Sequence, residues 1–335
     1  MTPLRPALLA LAAALLLVAC GGDDKQPSTP PIAEVTAAPP PAVTATPVAA
    51  SGPFAPGPTA RLGELQGLVW QRDGAGLLAY SRTEVQLIDA SGAAKSVLRA
   101  AAGESVIATA DTGFVATQAD RAITVRNVRV STAPVKRIAP TDQFTSAVIS
   151  PDGSLIALTL ADRIAVQLWD VEEQRLLKEF TGFQTAAPVY GVRFSPDGRS
   201  LVWLSRAKVQ VMDLASGSFS PALEHEDFVG ALALTADRLT LITAAGPKLT
   251  VWDVASGKQK LAEGQPGVIS AVALSRDGRT VAVATPQNVR LLDVASARET
   301  GTIAAANARM LTFSEDGKQL ASSDETGMIT IWRRP

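Results

Sequence analysis

From about residue 61 onward, short runs of alternating apolar and polar residues are separated by turns. Val192 and Phe194, and again Val209 and Val211, follow at every second position, the period of a strand with one buried face. Asp-Gly and Ala-Ser-Gly clusters stand between the runs. They suit tight hairpins, because glycine reaches φ > 0 without steric cost. No window in this region keeps a helical period, so the pattern predicts an all-β domain.

The runs belong to a repeat. "SPDGSLIALTL" (150–160), "SPDGRSLVWLS" (195–205), "SRDGRTVAVAT" (275–285) and "SEDGKQLASSD" (314–324) are followed by "VQLWD" (166–170), "VQVMD" (209–213), "VRLLD" (289–293) and "ITIWR" (329–333). Weaker copies start at "QRDGAGLLAYS" (71–81), "ATADTGFVATQ" (108–118) and "LTADRLTLITA" (234–244). Their turn aspartates, Asp73, Asp111, Asp152, Asp197, Asp237, Asp277 and Asp316, are spaced by 38, 41, 45, 40, 40 and 39 residues. Seven units of that length predict a seven-bladed β-propeller with four-stranded antiparallel blades over residues 60–335. The last unit stops after its third strand, so residues 60–68 are expected to pair near Ile329–Trp332 and close the ring.

With "LWD" (168–170) and "VWD" (251–253) at the ends of third strands, the domain resembles the WD-repeat propeller family. His225 stands twelve residues before Asp237, where that family has the histidine of a Gly-His pair, although Glu224 precedes it here. The resemblance implies a buried network joining that histidine to an aspartate between strands b and c. Gly246 holds the aspartate's position, which leaves the network incomplete.

The N-terminal part has another pattern. Ala7–Ala19 is an apolar run of thirteen residues after a single Arg5. That is shorter than the roughly 20 residues of a membrane span and has the layout of a secretory signal peptide. Leu17-Val18-Ala19-Cys20 resembles a bacterial lipobox, in which the peptide is cut before the cysteine and the thiol carries a diacylglycerol. The resemblance implies lipidation of Cys20, a palmitate-type acyl anchor and a place in the cell envelope, on the extracytoplasmic side of a membrane. Residues 1–19 are then the signal peptide and 20–59 a tether. Residues 21–60 hold ten prolines and five threonines, with Phe54 the only aromatic. Such a segment buries too little apolar surface to offset its ordering entropy.

Composition narrows the chemistry. Lys and Arg total 31 against 32 Asp and Glu, with no basic run longer than two, which argues against nucleic acid as a partner. One cysteine and one histidine do not supply a metal site or a histidine-based triad. No phosphate-binding loop or nucleophile elbow occurs, and "SPDG" lacks the spacing of a sialidase Asp-box. The expectation is therefore a non-catalytic, membrane-anchored scaffold that binds a protein partner and needs no cofactor. An enzyme or small-molecule binder using the central channel, and a subunit of an envelope assembly, are the alternatives. The third repeat is longer in two loops at one end of the disc. One of them, "FTGFQTAAPVYG" (180–191), offers Phe183 and Tyr190 as binding residues; packing of Phe183 under its own loop is the alternative.

Overall fold

The computed structural model describes residues 54–334, except 75, 131, 182, 184–188 and 190. Its strands form seven four-stranded antiparallel sheets, and no helix occurs among the described residues. The fold is a seven-bladed β-propeller, as the repeat spacing predicts. In each blade, strands a to d run from the axis outward. The a strands are Gly67–Trp70, Glu104–Thr109, Phe144–Ile149, Gly191–Phe194, Val229–Leu234, Ala271–Leu274 and Met310–Phe313.

The core is divided among the blades. Seven apolar clusters each fill the contact between two consecutive blades, the last joining blade seven to blade one. A middle strand therefore buries both of its faces, which is why Ser200–Ser205 is buried at every position. The outer strand Arg175–Phe180, by contrast, is exposed along its first four residues.

The ring closes through the N-terminal segment on the expected edge, but of residues 60–68 only Ala60 and Arg61 take part, opposite Ile329 and Met328. Strand d of blade seven is Ala55–Arg61, paired from Ala55 with Arg333 to Arg61 with Met328. Phe54 is 1% exposed and packs on Phe313, with ring centroids 6.3 Å apart, beneath the Arg334 guanidinium. Residues 54–59, inside the span assigned above to the tether, thus belong to the propeller. Residues 62–66 form a connection, and Gly67 and Leu68 belong to strand a of blade one.

The a–b turns explain the Asp-Gly repeat. In five blades a Ser or Thr donates its hydroxyl to the aspartate two residues on, as from Ser150 to Asp152 at 2.6 Å and Thr235 to Asp237 at 2.5 Å. Each of these aspartates also accepts the amide N–H two residues further on. In blade two, Gly113 N donates to the Ala110 carbonyl as Gly198 N does to that of Ser195. The turn closes one residue sooner, with Ala110 N bonded to Phe114 O rather than spanning five residues as Ser195 to Ser200 does. Asp111 therefore stands one place ahead of the turn-aspartate position, which Thr112 occupies.

In blade five Arg238 replaces the turn glycine at φ 63°. A non-glycine residue there bears steric strain. Its guanidinium reaches back to blade four, 3.1 Å from Asp197 and 2.9 Å from Asp213, so the strained residue ties two blades together.

Candidate functional site

All seven a strands line a central cavity of about 590 Å³. Its wall includes Leu68, Val69, Ile107, Val148, Leu232 and Leu311, and three charged residues, Asp111, Arg193 and Arg309. Arg193 occupies the position two before the turn Ser or Thr, where the other blades have Val69, Ala108, Val148, Ala233, Ala273 and Thr312. It is exposed to the channel and has no ion-pair or hydrogen-bond partner among the described residues.

Opposite it, Tyr80 enters the channel from strand b of blade one, Leu77–Tyr80, by lying over Gly67 of strand a. A Cβ on Gly67 would stand 2.2 Å from Tyr80 Cε1 and 2.7 Å from its Oη, so only glycine leaves the ring this place. Burial raises the pKa of the Tyr80 hydroxyl, and the Arg193 charge opposes that rise. At neutral pH Tyr80 is accordingly a neutral donor.

The second residue of each a–b turn supplies the opposite end of the channel: Arg72, Asp111, Pro151, Pro196, Ala236, Arg276 and Glu315. Arg72 bonds the Asp111 carboxylate at 3.1 Å and, from blade one, the Pro196 carbonyl of blade four at 3.3 Å. Arg276 pairs with Glu315 at 3.1 Å. Burial raises the pKa of Asp111 against the pull of Arg72, and its Oδ1 is buried without a partner. These side chains obstruct one mouth, leaving access from the face that carries the b–c and d–a connections.

His225 lies in a d–a connection on that open face. Its Nε2 and Trp252 Nε1 both meet Thr243 Oγ1 at 2.8 Å, and the two rings stack edge-on at 5.1 Å. Nδ1 is buried and unpartnered, in keeping with Gly246 at the place of an aspartate. Burial lowers the pKa of His225, against weaker opposition from the Ala207 and Leu223 carbonyls. The indole recurs by simple geometry. Trp332 Nε1 bonds Ser322 at 2.8 Å in blade seven, whereas blade three has Leu158 at the corresponding position and Trp169 turns to Gln167 at 3.1 Å.

Of the residues expected to bind, Phe183 is buried. It meets Trp203 at 4.9 Å and Phe219 at 5.4 Å in the cluster between blades three and four. This is the packing alternative raised for Phe183, so the described geometry gives no contact surface at this side chain. Tyr190 and Cys20 lie outside the described residues. Sequence reading passed over Arg193 and Tyr80. The signal for Arg193 was a single arginine in a column of small and apolar residues, visible once the blades are aligned by their turns. Among the described residues no three His, Cys, Asp or Glu side chains are grouped to hold a metal. The chain matches no family model and no curated protein.

Proposed function

We propose that this protein is a non-catalytic binding module: a disc of degenerate WD repeats, held by a lipid on Cys20 at the extracytoplasmic side of a membrane, that recruits a protein partner. The joined His225, Thr243 and Trp252 side chains support the WD-repeat reading. The lipobox-like Leu17–Cys20 supports the anchor.

The observation that carries the binding role is an exposed apolar group on blades two and three. Val130 and Val135 flank the long c–d connection of blade two, 50% and 58% exposed. Leu176 and Leu177 lie on the outer strand of blade three, each 39% exposed. Lys136, at the start of the outer strand of blade two, pairs at 2.6 Å with Glu172 in the c–d connection of blade three. Scattered surface aliphatics need no explanation, but several on adjoining segments beside an open strand edge favour a partner that covers them.

The test is a Leu176→Thr, Leu177→Thr double variant, which keeps strand-forming side chains. Proteins crosslinked to the disc in intact membranes are compared with those of the wild type. A partner retained by the wild type and lost by a variant of equal melting temperature is the expected result. A wild type that retains no protein, or a variant that keeps the same one, overturns the reading.

A further inference from the structure

We infer that the central channel binds a carboxylate monoanion with an apolar tail, gripped between the Arg193 guanidinium and the Tyr80 hydroxyl. Of the charged residues on the channel wall, Asp111 is bonded to Arg72 and Arg309 pairs with Glu325 at 3.4 Å. Among the described residues, Arg193 alone of the three has no ion-pair or hydrogen-bond partner. A guanidinium offers parallel N–H donors that match a carboxylate in a bidentate pair. Tyr80 adds an O–H donor from the other side of the ring, in space that Gly67 keeps clear.

The charge count selects a monoanion. A phosphate dianion would need a second free cation, and among the described residues of the wall Arg193 is the one without a partner. The rest of the wall selects the tail, since Val69 and Val148 at the level of Arg193, and Leu68, Ile107 and Leu232 one residue nearer the open mouth, offer apolar contacts. Arg72, reaching across to Pro196, obstructs the far mouth, so the ligand enters from the b–c and d–a face. A free aliphatic acid and the C-terminal carboxylate of a peptide share this chemistry. The site is independent of the surface on blades two and three.

Octanoate, and a hexapeptide ending in leucine with either a free or an amidated C-terminus, are titrated calorimetrically against the full-length protein. Saturable one-site binding is expected for octanoate or for the free-acid peptide over its amide, and which of the two binds identifies the source. Arg193→Gln should weaken it at least about tenfold and Tyr80→Phe by about three- to tenfold, as the loss of charge-assisted and ordinary hydrogen bonds predicts. Arg298→Gln, on an exterior turn, is the control and should bind as wild type. Because Arg193 is exposed to the channel, its variant should keep the wild-type melting temperature, and Arg193→Lys, which keeps the charge without the fork, should bind with intermediate strength. The inference is overturned if neither probe saturates, or if Arg193→Gln binds as tightly as wild type.

Discussion

The lone histidine gives this protein a titration that can be followed by itself. His225 is held against Trp252 and Thr243, and burial lowers its pKa below that of the unfolded chain, about 6.5. Between those two values the unfolded state binds more protons than the folded one, so stability falls as pH drops through the window and is unaffected by this group above it. Asp111 works in the opposite direction. Its raised pKa makes its contribution largest at low pH and loses it as pH rises through the folded value. The turn and cap aspartates, with lowered pKa values reaching about 2 at Asp253, lose their contribution only in stronger acid. Comparing wild type with His225→Gln at about pH 7.5 and about pH 5.5 cancels the carboxylates and isolates the imidazole. The variant should melt lower at the higher pH, and the gap between the two proteins should narrow on acidification. A gap that stays constant or widens would show that the ring is not buried neutral.

At the scale of the element, closure by the N-terminal strand carries the sharpest consequence. Ala55–Arg61 covers the edge of Met328–Arg333 and brings Phe54 into the contact between blades six and seven. Truncating a buried Phe costs about 3–5 kcal/mol, and removing the strand also bares a ladder edge. Deletion of 54–61 should therefore lower the melting temperature sharply and promote aggregation, whereas deletion of 25–50 should leave it unchanged. Equal melting of the two truncations would contradict closure by this strand. The sequence announces the blades because their turns repeat one chemistry, a Ser or Thr hydroxyl on an aspartate, and their inner strands alternate. It hides the closing strand because Pro56, Gly57 and Pro58 look like tether. Yet an outer strand tolerates proline, with one ladder edge unpaired. Gly57 is even required there, since a Cβ would stand 2.6 Å from the Ile331 carbonyl oxygen. The same physics misplaced Asp111: a turn shortened by one residue preserves the spacing while moving its aspartate toward the axis. Phe183 misled for a different reason. Composition marks a loop aromatic, but only the neighbouring Trp203 and Phe219 decide which way it points.

For the whole molecule the question is where such a disc works, and Cys20 is the residue that bears on it. A domain whose folding uses seven inter-blade cores has no need of a cysteine, and the chain's single one stands outside it, at the end of a thirteen-residue apolar run. In the proposed reading, that thiol is the nucleophile for lipid transfer. Two or more acyl chains give stable anchoring, because each buried methylene contributes about 0.8 kcal/mol. Cys20→Ser should leave the precursor uncleaved, abolish acyl labelling and remove the mature protein from the detergent phase. The melting temperature of the propeller should stay unchanged, because the substitution touches no blade. A serine variant that still partitions into detergent like the wild type would mean that another part of the chain holds the membrane, and the lipid anchor would have to be given up.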